Sequence, residues 1–261
     1  MEISKIRKHL ETEKLGEKLL VFNEVDSTNN ILRGLAAQGA AMDGTVVVSD
    51  SQTAGRGRMG RKWISPRGMN LYLSALFCPE VSPQKSSVFT FLASCALVDV
   101  FSTYGVDAEI KWPNDIIVCG KKISGVLTEL GISGDTVDYI VIGIGVNLNL
   151  PEEFIRREMD DISEKTTSLS LLLGEDVSRD RFCADLINSL DRFYAEFRRR
   201  GARAIVDVWI ERWGLLGKDI SIDVSGEIVS GVVERVDGNG FLYLRTPEGD
   251  INKVIAGDAV F

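Results

Sequence analysis

Residues 55–62 read Gly-Arg-Gly-Arg-Met-Gly-Arg-Lys, and Trp63 follows. Three glycines and four cations share these eight positions in a chain of formal net charge −8. Glycines let a backbone come close to a ligand, and arginines offer forked donors that match phosphate or carboxylate oxygens. The chemistry is that of a loop wrapped around an anion. A solvated basic turn is the plain alternative. Against it, four cations with no acid between them repel one another, and an anion relieves that repulsion. The same stretch spells Gly-x-Gly-x-x-Gly, but a dinucleotide site needs that string to leave a strand and open a helix. Here the apolar run 45–48 is followed by the polar connector 49–54, and Pro66 and Gly68 stop any helix after the loop. A Walker A loop fails as well, because no Gly-Lys-Ser/Thr stands at the required spacing.

A second group lies further on. Lys111-Trp112-Pro113-Asn114-Asp115 sets a cation, an aromatic, an amide and a carboxylate at the end of a strand, in a turn stiffened by proline. Taken alone it is equally a structural turn with an Asn/Asp cap. Lys122 begins the otherwise apolar strand of Ile123, Val126 and Leu127, where a lysine often only guards an edge. Gly125 in that strand, and Gly143 and Gly145 in the next, weaken it; such glycines mark bulges, close packing or the approach of a ligand. Three of them in neighbouring strands suggest a flat floor for a ligand ring.

These residues need elements to hold them. Helical spacing predicts a helix over Ile3–Leu15, and strands are expected at Leu19–Val25, Gly44–Ser49 and Met69–Phe77. Asp26-Ser27-Thr28-Asn29 offers N-caps for a helix through Ile31, Leu32 and Leu35. Ser82–Tyr104 reads as a long helix buried on most sides. Ile116–Val118 and Lys122–Leu130 flank a hairpin turn at Cys119-Gly120-Lys121, and Val137–Asn147 is a buried strand. A polar connector, Pro151–Ser163, leads to helices at Leu169–Leu173, Asp180–Arg199 and Ala202–Trp213. After Gly214–Gly217 the texture changes to short strands with turns at Ser225-Gly226, Asp237-Gly238 and Glu248-Gly249. That is a small antiparallel barrel, too small to stand well alone, docked on the main domain. The organisation expected is an extension over 1–18, a main domain over 19–214 and a barrel over 215–261.

Composition narrows the function. The pI of about 4.9 argues against a general nucleic-acid coat. His9 is the single histidine, and the four cysteines stand far apart. Zinc chemistry and His-based triads therefore drop out, and the thiols read as buried, reduced small hydrophobes. No stretch is expected to approach the roughly 18 apolar residues of a membrane span. The charged N-terminus lacks a secretory core, so a cytoplasmic protein is expected.

The motifs together resemble a biotin–protein ligase. Asp26–Asn29, Gln52–Trp63, Ser65-Pro66 with Asn70–Ser74, Lys111–Asp115, Lys122–Leu127 and Gly143–Asn147 fall in the order and spacing of that family, and the resemblance covers about residues 20–261. It implies an α+β fold: a mixed, largely antiparallel sheet with helices, of the class II synthetase-like kind, plus a small C-terminal SH3-like barrel. It implies that biotin attacks the α-phosphate of Mg-ATP, giving biotinyl-5′-AMP, and that a lysine of a biotin carboxyl carrier domain then takes the biotin. The nucleophile comes from the substrate, so the enzyme must supply anion binding and positioning.

By the same resemblance, Lys122 stabilises charge between biotin carboxylate and α-phosphate, and Arg58 and Arg61 hold phosphates. Arg56 helps order the loop over the adenylate, and Arg56, Gly57, Arg58 and Lys122 also belong to the biotin-binding set. Lys111, Asn114 and Asn147 complete the ATP site, and Trp63 packs on adenine or covers biotin. Asp115 is the candidate Mg2+ partner. Ser27, Thr28, Asn29 and Gln52 face the biotin ureido ring over the floor of Gly125, Gly143 and Gly145. The loop is expected to be mobile without ligand. Some family members also carry an N-terminal DNA-binding module; with only about 20 residues before the first matched strand, a single-function enzyme without DNA or membrane partners is expected. A sheet edge is available for a homodimer. Two alternatives stay open: a lipoate–protein ligase-like enzyme and a regulator that senses biotinyl-AMP.

Overall fold

The computed structural model describes residues 1–224, 226–255 and 257–260. Its main sheet has seven strands: β1 (Leu19–Phe22), β2 (Val46–Ser49), β3 (Leu71–Phe77), β4 (Glu109–Lys111), β5 (Asp115–Val118), β6 (Lys121–Ser133) and β7 (Thr136–Val146). They lie in the order β1-β2-β3-β7-β6-β5-β4. Only β1 and β2 are parallel, joined through α2 (Thr28–Ala37); every other neighbouring pair is antiparallel.

The period of two decides what each face of the sheet carries. On β3, Leu71, Leu73, Ala75 and Phe77 enter the main core, and on β7 so do Ile140, Ile142, Ile144 and Val146. That face is covered by α3 (Ser87–Thr103), α6 (Arg179–Arg200) and α7 (Ala202–Trp213). The opposite face carries Val47, Leu76 and Val141, packed against Leu32 of α2. The intervening positions Gly143 and Gly145 share this second face with Val141, so the apolar patch gives way to a shallow glycine surface.

The C-terminal unit is a five-stranded antiparallel sheet of β8 (Asp219–Val224), β9 (Glu227–Val236), β10 (Leu242–Arg245), β11 (Ile251–Val254) and β12 (Asp258–Val260), in the order β11-β10-β9-β8-β12. It fits an SH3-like barrel, with Ile222, Val233, Leu242 and Leu244 inside. It docks on the main domain: Ala259 N–H donates to Trp112 C=O at 3.3 Å, and Gly240 lies against Phe91 where a Cβ would come within 2.5 Å of the ring. The mixed α+β architecture is the one the resemblance implied.

Several local expectations are corrected. The first helix, α1, ends at Arg7 rather than Leu15. Beyond it, the buried Asp191 carboxylate accepts from the N–H groups of Glu13, Lys14 and Leu15 at 2.7–3.0 Å and holds them in a non-helical bend and turn. β1 stops at Phe22, and Val25 makes only an isolated bridge to Gln52. The connector 151–163 contains α4 (Glu152–Glu158) and a 3-10 turn over Asp160–Lys165. Helix α4 has acids in its first turn and arginines in its last, as its dipole favours, and Ile155 pins it to Leu150 and Met159. The hairpin turn needs only Cys119 and Gly120, both at positive φ (49° and 74°), so Lys121 already belongs to β6. The last strand, β12, had no expectation, and Ser225 of the expected Ser225-Gly226 turn lies outside the described residues.

Two expectations from composition also change. One stretch, Pro83–Thr103, is long and apolar enough to cross a membrane, with a mean hydropathy of 1.5 over its best window. It is the core helix α3, placed between the sheet and α6 and α7. Of the thiols, Cys95 and Cys183 are buried, and burial pushes Cys95 up to about 12, but Cys78 and Cys119 are exposed.

Candidate active site

The glycine face of the sheet is the floor of a cavity of about 500 Å³. Its walls are the start of α2, the arginine loop, the β4–β5 turn, the start of β6, the segment 159–166 and Asp258 of the barrel. Strand register puts the floor together: Gly125 stands opposite Gly145, and Leu127 opposite Gly143. Among the described residues the lining carries Arg56, Arg58, Arg61, Lys62, Lys111, Lys122 and Lys165 against Asp115 and Asp258. A chain of net charge −8 thus concentrates positive charge in one concavity, which suits a polyanionic ligand.

The floor is not bare. A Cβ on Gly145 would lie 2.3 Å from the Trp63 ring, and one on Gly143 would lie 2.3 Å from Asn29 Oδ1. The expectation of an open surface for a ligand ring is therefore corrected: the glycines make room for Trp63 and Asn29, and the ligand meets those side chains. Trp63 Nε1 is buried with no hydrogen-bond partner. Lys122 Nζ sits 5.5 Å from the centre of the Trp63 ring and 2.7 Å from Asp115 Oδ1. That ion pair is not aligned as a hydrogen bond, and the buried Asp115 oxygen has no hydrogen-bond partner. The ammonium is held close to the carboxylate by charge at the cavity wall.

The arginine loop is a tight excursion closed at its neck by Trp63 N–H to Gly55 C=O at 2.9 Å, and at its tip by Gly57 N–H to Arg61 C=O at 2.7 Å. Met59 and Gly60 turn it with φ of 54° and 73°. Its arginines have separate anchors. Arg56 donates to Asn30 Oδ1 at 2.7 Å and lies 3.6 Å from Glu129. Arg58 donates to Asn114 Oδ1 at 3.0 Å, to Gly257 C=O at 3.3 Å and to Asp258 Oδ1 at 3.1 Å. Arg61 donates to Asp258 Oδ2 at 2.7 Å. At the root, the Asn30 amide, the Ser27 N–H and Arg56 outweigh desolvation and hold the Asp26 carboxyl below its ordinary range.

Ser27 is the N-cap position of α2, yet its hydroxyl makes no capping bond; it is buried at the cavity wall. Thr28 N–H and Oγ1 both donate to Gln52 Oε1, at 2.9 and 3.1 Å, and Gln52 Nε2 donates to Ser65 Oγ at 3.0 Å. Ser74 of β3 donates from Oγ toward Thr28 Oγ1 at 2.8 Å or Asn29 Oδ1 at 2.6 Å. Short polar groups from α2, β3 and Gln52 form one network at the inner end. Such a fixed donor and acceptor pattern recognises a small polar ring.

Comparison with known proteins places the chain in a family. The biotin/lipoate A/B protein ligase family matches residues 21–147. The bifunctional ligase/repressor BirA of Bacillus subtilis is 35% identical over 258 residues, covering 98% of this chain and 77% of the relative. The biotin–[acetyl-CoA-carboxylase] ligase of Paracoccus denitrificans is 32% identical over 219 residues, 82% of this chain and 89% of the relative. This chain belongs to the biotin/lipoate protein ligase family, among its biotin–protein ligases. The solved biotin protein ligase of Aquifex aeolicus, in complex with biotin and ATP, superposes on the ligase with a TM-score of 0.73 at 26% identity, over 94% of this chain and 98% of that one.

In this ligase every residue expected at the site lines the one cavity: Ser27, Thr28, Asn29, Gln52, Arg56, Gly57, Arg58, Arg61, Trp63, Lys111, Asn114, Asp115, Lys122, Gly125, Gly143, Gly145 and Asn147. Asn147 also has structural work, donating to Thr167 C=O at 3.1 Å and accepting from Asn70. Sequence reasoning missed Met159, Ile162 and Lys165, which close the outer wall: the first two sit in the segment read as connector, and Lys165 lies just beyond it. It missed Asp258, whose strand has no periodic signal. It also missed Glu129, which touches Asn29, Arg33 and Arg56 from β6; an acid on an otherwise apolar strand was the available signal.

Proposed function

We propose that the cavity activates biotin with ATP to biotinyl-5′-AMP and passes the biotin to a lysine of a biotin carboxyl carrier domain. The observation that carries this reading is Lys122 Nζ, 2.7 Å from Asp115 at the junction between the glycine-floored inner end and the arginine loop. Biotin enters the inner end with its ring among Ser27, Thr28, Asn29 and Gln52, under Trp63. Its carboxylate then points toward Lys122. The triphosphate lies along Arg58 and Arg61 with Lys111 and Asn114 beside it, and its anionic oxygens displace Asp258 from the guanidinium groups.

A carboxylate oxygen forms a bond to the α-phosphorus as the bond to the bridging oxygen breaks, and pyrophosphate leaves. The lysine ammonium stabilises the charge shared between carboxylate and phosphate in that transition state. In the second step a neutral carrier amine attacks the acyl carbon, the C–O bond to phosphate breaks, and AMP leaves. No side-chain nucleophile is needed, which agrees with a chain whose only histidine is His9. Closure of the loop shields the mixed anhydride from water.

Magnesium belongs to the same proposal. Asp115 is the carboxylate at the cationic end, and its Oδ1, 2.7 Å from Lys122 Nζ, would be shared with an ion held mostly by phosphate and water. Among the described residues no cluster of three or more His, Cys, Asp or Glu side chains forms. Bound magnesium would neutralise triphosphate charge. We also read the protein as a ligase without a DNA-reading role, because a formal net charge of −8 disfavours a general duplex-binding surface.

The test is incubation with biotin, Mg-ATP and a biotin carrier domain, followed by mass measurement. The expected product is the carrier with one added biotinyl group, and pyrophosphate release that requires biotin and is not supported by lipoate. Lipoate-dependent release in place of biotin-dependent release would overturn the reading. A mobility shift of duplex DNA at moderate salt would overturn its DNA-free part.

A further inference from the structure

We propose that Glu129 is a positioning residue for the biotin ring, acting through the amide of Asn29 and the root of the arginine loop. The inference rests on the biotin reading of the cavity. Glu129 lies on β6, two residues beyond Leu127, which pairs with Gly143 of the floor. Its Oε2 accepts from Asn29 Nδ2 at 2.7 Å and lies 3.6 Å from Arg56, while Oε1 accepts from Arg33 at 2.9 Å. One carboxylate therefore joins a cavity-lining amide, the first arginine of the loop and the outer face of α2.

The chemistry of a carboxylate decides how Asn29 must face. An ionised carboxylate only accepts hydrogen bonds, so the Asn29 NH2 group turns toward Glu129. The Asn29 carbonyl oxygen then has to point the other way, where it meets Ser74 Oγ at 2.6 Å and fills the space left by Gly143. Asn29 is 3% exposed, so it has no solvent to soften the choice. The cavity consequently presents an acceptor at this point, the polarity that a ring N–H requires. A neutral glutamine at 129 could accept or donate, leaving the longer bond from Asn29 Nδ2 to Leu127 C=O at 3.4 Å as the remaining constraint on the direction of the amide. Arg56 would lose the charge that, with Asn30, holds the neck of the loop beside α2. Arg33 reaches Glu129 from a side chain that is 42% exposed and does not line the cavity, so its pairing serves as a control.

The experiment compares Glu129→Gln and Arg33→Ala with the unaltered enzyme by biotin-dependent pyrophosphate release. The substrates are biotin and a biotin methylated on one ureido nitrogen, and thermal unfolding is run alongside. The expected result for Glu129→Gln is a KM for biotin raised about tenfold, with kcat and the KM for ATP within about twofold. Its preference for biotin over the methylated ring should fall, and Arg33→Ala should keep an unaltered KM for biotin. An unchanged biotin KM in Glu129→Gln, an equal rise for both substrates with retained ring preference, or the same defect in Arg33→Ala would overturn the inference. Absence of biotin-dependent release from the unaltered enzyme would instead overturn the reading beneath it.

Discussion

Lys122 and the floor glycines carry the most direct consequences at the scale of single residues. Lys122→Ala removes the cation from the reacting centre, and loss of one preorganised electrostatic group costs on the order of 10²–10³ in rate. Biotin-dependent pyrophosphate release should fall by that factor, while circular dichroism and thermal unfolding stay close to those of the unaltered protein. Near-normal release would remove Lys122 from its role. Gly145→Ala tests the floor differently. The new methyl would collide with the Trp63 ring at 2.3 Å, a contact between rigid groups that the loop root must absorb. Overpacking of this kind costs roughly 1–3 kcal/mol. The KM for biotin should rise with it, and quenching of Trp63 fluorescence by biotin should weaken. That something lies close against the sheet at Gly125, Gly143 and Gly145 was legible because glycine in a strand is costly. What stands on the floor was not legible, since a glycine says only that something is near.

At the scale of elements, the arginine loop and the N-terminal segment are both held by side chains from distant parts of the chain. The loop exposes Met59 and Arg61, with 70% and 65% of their side-chain-bearing surface open, so its tip is accessible. Trypsin should cut after Arg58, Arg61 or Lys62 in the ligand-free protein and be slowed by biotin with ATP together. Equal cleavage with and without both ligands would argue against closure over the adenylate. The N-terminal segment depends on Asp191, which is 5% exposed and accepts from three backbone N–H groups. Asp191→Asn keeps the shape but loses the charge and one acceptor oxygen. Hydrogen bonds to a charged group are each worth about 1.5–3 kcal/mol, so a loss of about that size is expected in urea unfolding. The helix expected through Leu15 was wrong for this reason: local periodicity cannot register a carboxylate 176 residues away that takes the N–H of Leu15.

At the scale of the whole molecule, the barrel contributes a wall of the active site. Asp258 of β12 binds both Arg58 and Arg61, and Ala259 pairs with Trp112 beside the Asn114 turn. Asp258→Ala breaks two ion pairs that are partly open to solvent, each worth about 0.2–1 kcal/mol. The expected outcome is faster proteolysis across the 214–218 junction in the ligand-free protein, a difference that narrows with ATP and biotin, because phosphates displace Asp258 in the unaltered protein too. Unchanged proteolysis would show that packing of Gly240 on Phe91 holds the barrel without Asp258.

Much of this ligase was determined by the sequence alone. The alternation of β3 and β7, the core helix α3, the hairpin at Cys119-Gly120 and the set of motif residues all depend on neighbours a few positions apart, where side-chain period and turn chemistry act. Tertiary structure decided what local rules cannot express. It gathered the Gly-Arg loop, the Lys111–Asp115 turn, Lys122 and the glycine floor into one cavity, because strand register places Gly125 across from Gly145. It put Trp63 on that floor, brought Asp258 from the far end of the chain to the arginines, and made Glu129 the joint between pocket and loop. Those contacts are set by packing across large sequence separations, and a linear pattern carries no distance between its distant parts.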